Sequence, residues 1–186
     1  MLYLPKEYFT PGEKVCSSLE VDPDGNVRMV LTKRLFNFTC DRVRALIGND
    51  FNIEYDKVIA GTRVFSAVKG NFGLSCTKST RDLEPTYVTV SRRFDKIQSP
   101  KDYRSLLEFV KKLKEKSFDA YMEPEGDLDS LNVYKDPQRY GLRNESEAID
   151  ALRDSRKKLS FSVIVRFNSK KNSDAEIKSA LKELEP

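Results

Sequence analysis

The strongest constraint on the fold is a strict alternation of apolar and polar residues near the end of the chain. Every second position over this stretch is apolar, namely Leu159, Phe161, Val163, Val165 and Phe167. Successive side chains of a strand point to opposite faces of its sheet. The pattern therefore predicts a strand with one buried face.

Six further segments carry strand patterns, at 15–21, 27–35, 51–55, 63–69, 74–78 and 86–94. Turn residues at 22–26 join the first two into a predicted hairpin, and 70–73 forms a second hairpin loop. Helices are predicted at 40–47, 100–116, 144–152 and 173–184, from caps and apolar periodicity. A run of strands without intervening helices favours an antiparallel sheet. We therefore predict an α+β fold with about five to seven antiparallel strands and three to four helices packed mainly on one face.

The longest predicted helix begins at Ser99-Pro100, a good cap followed by a residue that the first helical position tolerates. Its apolar face comprises Tyr103, Leu106, Leu107, Val110 and Leu113. Lysines crowd its last turns, where the helix dipole already favours cations and so explains them without a ligand.

Residues 119–143 combine many carboxylates with proline and glycine, which predicts an acidic surface loop or linker. Oxygen ligands suit Ca²⁺ or Mg²⁺, but the spacing departs from the EF-hand pattern, so a solvated loop is favoured. The predicted division is 1–118, a hairpin with the sheet and a helix; 119–143, the loop; and 144–186, a helix–strand–helix segment on the same core. One domain is favoured over two.

The composition excludes several classes of catalytic site. The chain has no histidine among 186 residues, so nucleophiles activated by histidine and metal sites with histidine ligands are absent. Its three cysteines, Cys16, Cys40 and Cys76, lack the short spacings of zinc or redox motifs and are expected to be reduced, small apolar residues. We predict a non-enzyme without cofactor or metal. With no membrane segment or secretion signal, a cytoplasmic location, or a virion for a viral protein, is expected.

The charge pattern suggests a polyanionic partner. The formal net charge is +4 although carboxylates are concentrated in one segment. Cations adjoin aromatic rings at several strand ends, as single-stranded nucleic acid requires. Alternation places Arg92 and Arg93 on opposite faces of their strand, so that run is not expected to act as one patch. The predicted binding residues for single-stranded RNA or DNA are Lys33, Arg34, Arg92, Arg93 and Arg166, with Tyr87 as a stacking platform.

The order of elements over residues 15–116 resembles that of the coat proteins of single-stranded RNA phages. The shared features are an N-terminal hairpin, a meander of strands, and a last strand leading into an amphipathic helix at 86–116. The helix at 40–47 interrupts the pattern, and no site residue carries over. The resemblance implies a self-assembling, coat-like protein with RNA bound on its sheet. A sheet covered on one face also predicts a homo-oligomer. The alternative is a protein-interaction module or inhibitor that binds no nucleic acid.

Overall fold

The computed structural model describes residues 13–21, 27–36, 40–79, 85–97, 99–155, 157, 159–169 and 171–185, with the backbone alone for 13–36 and for Lys96. The strands are β1 (Glu13–Val21), β2 (Val27–Phe36), β3 (Asn52–Ile59), β4 (Thr62–Lys69), β5 (Phe72–Ser79), β6 (Thr86–Ile97), β7 (Asp119–Glu125) and β8 (Leu159–Asn168). The helices are α1 (Cys40–Ile47), α2 (Pro100–Glu115), α3 (Leu128–Lys135), α4 (Glu145–Asp154) and α5 (Asp174–Leu184), with a short 3-10 helix at Pro137–Tyr140.

The strands form two sheets. β1 and β2 pair as an antiparallel ribbon with a bulge, because Cys16 lies opposite Lys33 whereas Ser17 lies opposite Leu31. The other six strands form an antiparallel sheet in the order β3-β4-β5-β6-β8-β7. The predicted α+β class with an antiparallel sheet is confirmed, and the helices number five in the described part of the chain.

The acidic segment 119–143 is the main correction to the sequence prediction. It contains β7, α3 and the 3-10 helix instead of a loop. β7 pairs with β8 at the edge of the sheet, where Pro124 is tolerated because an edge strand can lack one donor. Asp127 is the N-cap of α3 and accepts a hydrogen bond from the backbone N–H of Ser130 at 3.0 Å. The carboxylates that suggested a solvated loop thus serve an edge strand and a helix cap.

The other local predictions largely hold. β8 buries the five alternating apolar residues. The predicted Ser99 cap of α2 forms, since its side chain accepts the backbone N–H of Asp102, and Asn144 likewise caps α4 by accepting the N–H of Glu147. Leu107 departs from the prediction, because its side chain is 42% exposed and does not join the buried face of α2. Within the described residues, no helix is both long and apolar enough to cross a membrane.

One compact unit consists of the described residues through Ala67 and of those within Ser75–Val88 and Phe167–Ser179. Its buried side chains include Val43, Phe65 and Ile177. On its surface, Arg63 forms a bidentate ion pair with the carboxylate of Asp56, with N–O distances of 2.9 and 3.0 Å. Its Nη1 also donates to Asp41 Oδ1 at 2.9 Å.

A second compact unit consists of Val68–Leu74 and of the described residues within Thr89–Arg166 and from Ala180 onward. Within it, α2 contacts β7 and α4, and α3 contacts α4. The rings of Tyr103, Tyr134 and Phe161 contact one another with centroids 5.3 to 6.0 Å apart. The predicted division at residues 118 and 143 remains a prediction.

Candidate nucleic-acid interface

The six predicted binding residues occupy different settings. Lys33 and Arg34 lie on β2, outside the residues whose side chains are described. Tyr87 lies on β6 and is 53% exposed, as a stacking platform requires. The three arginines, Arg92, Arg93 and Arg166, are all engaged in contacts within the second unit.

Arg92 is partly buried and is held by contacts within the protein. Its Nη1 donates to the carbonyl of Leu184 at 2.9 Å, at the C-terminal end of α5, where the helix dipole favours a cation. Its guanidinium also lies 4.8 Å from the ring centroid of Phe94 and 5.6 Å from that of Phe72. To bind a phosphate with its full donor set, this side chain would have to leave those contacts.

Arg93 and Arg166 are matched by carboxylates of the same sheet. Arg93 Nε lies 2.7 Å from Asp95 Oδ1, and its Nη1 lies 3.1 Å from Glu125 Oε2. Arg166 Nε lies 3.2 Å from Asp119 Oδ2, and its guanidinium lies over the ring of Tyr121.

These pairs belong to one surface, which we call the acidic sheet face. The register of β7 on β8 pairs Asp119 with Arg166 and Glu123 with Ser162, so residues with odd numbers on β7 and even numbers on β8 share a side. Contacts of Arg93 with Glu125 and of Asp95 with Ser160 add β6 to the same side. The described charged side chains of this face are four carboxylates and two guanidiniums, at Asp95, Asp119, Glu123, Glu125, Arg93 and Arg166. Its net charge is therefore negative, which opposes a polyanion.

A groove of about 540 Å³ lies between β6 and α2. Both Arg92 and Arg93 line it, although their other contacts lie on opposite faces of β6. Both side chains reach the groove because of where β5 begins. Its first residue is Phe72, and the backbone N–H of Arg93 donates to the carbonyl of the preceding residue, Asn71. β6 continues beyond that point to Ile97, and the groove opens beside this last stretch.

The groove combines rings with hydrogen-bonding groups. Phe94 and Phe109 meet edge to face within it, with centroids 5.9 Å apart. Asp95 and Asp102 offer acceptors in the same lining, and the guanidinium of Arg93 offers donors. Two carboxylates balance the two arginines, so the interior of the groove has no net charge.

Two lysines without a described side-chain partner lie on the face of α2 that borders the groove. Ser105 and Phe109 line the groove from α2. Lys101 precedes Ser105 by four positions and Lys112 follows Phe109 by three, so all four share one face of the helix. Among the described residues, neither lysine side chain has a hydrogen bond or an ion pair. Lys111, by contrast, is paired with Glu115 at 3.9 Å.

Sequence reasoning missed this rim for an identifiable reason. It attributed the lysines in the last turns of α2, Lys112 among them, to the helix dipole, and it gave Lys101 no role. Lys101 lies in the first turn of α2, where that dipole disfavours a cation. That unfavourable position is the signal that could have marked it.

Sequence reasoning also missed a pair of cysteines. The Sγ atoms of Cys40 and Cys76 lie 2.8 Å apart in the first unit, and both side chains are buried. The residues are 36 positions apart, so no short motif announces them. Within the described part of the chain, no group of three or more Cys, Asp and Glu side chains is arranged to hold a metal ion.

Comparisons of the chain with protein-family models, with curated proteins and with solved structures found no match.

Proposed function

We propose that this chain is a non-catalytic protein that binds single-stranded nucleic acid at the groove between β6 and α2. The strand's phosphates lie along the groove rim at Lys101 and Lys112, and a base enters the groove against Phe94 and Phe109. The observation that carries the proposal is that two lysines without a described side-chain partner share the face of α2 from which Ser105 and Phe109 line the groove.

The proposal moves the site away from the arginines predicted from the sequence. Arg93 and Arg166 already have carboxylate partners, so a phosphate would have to displace those partners first. Lys101 and Lys112 have no such competitor among the described residues. In the groove, Asp95 and Asp102 suit the exocyclic amino groups of bases, which donate hydrogen bonds.

Fluorescence anisotropy with a labelled single strand, measured at two salt concentrations, tests the proposal. We expect the double variant K101E/K112E to bind at least about tenfold more weakly than the unmodified chain. The slope of log affinity against log salt concentration is negative, and its magnitude should decrease by about 1.4, because two phosphate contacts are lost and each contributes about 0.7 for a single strand.

The matched control is K178E/K182E, which makes the same change of net charge at exposed positions of α5. Its affinity should fall much less. Equal losses in the two variants would show that binding depends on net charge and not on the groove. No binding of the unmodified chain at low salt would refute a nucleic-acid function.

The acidic sheet face favours a second candidate, a protein partner. Four carboxylates against two guanidiniums complement a basic segment of another protein. A labelled lysine-rich peptide should then bind the unmodified chain and K101E/K112E equally. Glu123→Lys, at an exposed position of this face, should weaken that binding. An unchanged affinity for Glu123→Lys would exclude this face as the docking surface.

Self-assembly remains part of the proposal, as a structural role for the bound strand. Light scattering at tens of micromolar protein should give a mass above that of one chain. A monomer mass there would remove the assembly component and leave strand binding to be judged by anisotropy.

A further inference from the structure

Two buried thiols lie in contact within the first unit. Cys40 is the first residue of α1, and Cys76 lies in β5. Their sulfur atoms are 2.8 Å apart, and about 0.8 Å of approach would bring them to the length of a disulfide bond. Because the two residues are 36 positions apart, the fold and not the local sequence creates this contact.

The surroundings make the two thiols unequal. The S–H of Cys76 donates to Cys40 Sγ, and this hydrogen bond lowers the pKa of Cys40, with a further lowering from the Arg63 guanidinium against the opposing effect of burial. The same hydrogen bond and burial raise the pKa of Cys76. The N-terminal position of Cys40 in α1 also favours a thiolate there.

We propose that Cys40 and Cys76 form an oxidant-sensitive pair that closes into a disulfide when the protein meets hydrogen peroxide. The Cys40 thiolate attacks one peroxide oxygen; the O–O bond breaks, hydroxide leaves, and Cys40 becomes a sulfenic acid. Cys76 then attacks the Cys40 sulfur, the S–S bond forms as the S–O bond breaks, and water leaves with the thiol proton. In sum, two thiols and one peroxide give one disulfide and two waters.

The pairing is specific because Cys76 already touches the sulfur that is oxidised. The cross-link joins α1 to β5 and encloses β3 and β4 in a covalent loop. Cys16, on β1, serves as the internal reference thiol of the same chain. Since both reacting sulfurs are buried, peroxide reaches them through local opening of the unit, and the reaction is followed over hours.

Thiol titration and peptide mapping after peroxide treatment of the folded protein test the proposal. The three thiols of the chain should fall to one, the intact mass should lose two hydrogen atoms, and the cross-linked peptide should join Cys40 to Cys76. Cys16→Ser should form the same cross-link. Three thiols persisting throughout, or a cross-link to Cys16, would overturn the pairing.

Two further variants test the order of events, after circular dichroism shows them folded. Cys76→Ser should accumulate a sulfenic acid on Cys40 that dimedone traps, whereas Cys40→Ser should trap none at Cys76. The reverse result would overturn the assignment of Cys40 as the attacking thiol. In urea, the unfolded chain should form a mixture of the three possible disulfides. If the folded protein gave the same mixture, the claim that the fold selects the pair Cys40 and Cys76 would be overturned.

Discussion

Replacing Tyr134 by phenylalanine removes one hydroxyl from a hydrogen bond that joins helices α2 and α3. The hydroxyl oxygens of Tyr103 and Tyr134 are 2.8 Å apart, and both rings pack against Phe161. Burial raises the pKa of both tyrosines, so each hydroxyl stays neutral at ordinary pH. The pair anchors the segment that sequence patterns predict as a loop.

The expected cost follows from which hydroxyl is left behind. Tyr103 is only 5% exposed, so Tyr134→Phe strands a buried hydroxyl, which costs about 2 kcal/mol of unfolding free energy. Tyr103→Phe strands the hydroxyl of the less buried Tyr134, which costs about 1 kcal/mol. The double variant loses both polar groups with little change of shape, so it should be destabilised by less than the sum, with a coupling of about 1 to 2 kcal/mol.

Urea unfolding followed by circular dichroism measures all four members of this cycle. Thermal unfolding should show shifts of about 2 to 4 °C for each kcal/mol in a chain of this size. Tyr140→Phe is the matched control, because Tyr140 is 47% exposed, and it should change stability by less than about 0.5 kcal/mol. Strictly additive losses in the cycle would refute the claim that the two hydroxyls satisfy each other.

Three further predictions rest on separate contacts. Gly73→Ala should destabilise the protein by about 1 to 3 kcal/mol in urea unfolding, because its Cβ would lie 2.7 Å from Ser91 Oγ. Ser91→Gly in the same chain should relieve most of that loss, and no relief would place the strain elsewhere. The hydrogen bond from Arg63 lowers the pKa of Asp56 in the folded protein. The stabilisation that this carboxylate provides is therefore complete above its unfolded-state pKa of about 4, and it is lost as the pH falls through the lowered folded-state pKa. Asp56→Asn should therefore be less stable than the unmodified chain at neutral pH, with the difference closing in acid; a constant difference would contradict this assignment. Arg92→Met should cost about 2 kcal/mol, because the charged hydrogen bond to the end of α5 is lost, and an unchanged urea midpoint would show that bond to be unimportant.

The candidate site shows where sequence reasoning stops. Residue type correctly marked α2 and its cap, because those signals are local. It did not show that Arg93 and Arg166 are neutralised, since their partners Glu125 and Asp119 lie on β7, far along the chain. The charge of a surface depends on which strands are neighbours, and no short motif predicts the order β6-β8-β7.

The sequence by itself determined the elements whose cause lies within a few residues. The alternation of β8 and the Ser99 cap of α2 are found where the patterns predict them, and the hairpin predicted around 70–73 forms with a shorter connection at Gly70 and Asn71. Side-chain alternation and capping require only neighbours along the chain, so they can be read without a fold.

Only the tertiary structure decided which distant residues meet. The acidic segment became β7 and α3 because β8 offered an edge to pair with and the ring of Tyr134 reached Tyr103 and Phe161. The contact between Cys40 and Cys76 likewise depends on α1 meeting β5 across 36 residues of chain. Such contacts are set by the order and register of the strands, which depend on packing of the whole core. Local sequence periodicity therefore does not predict them.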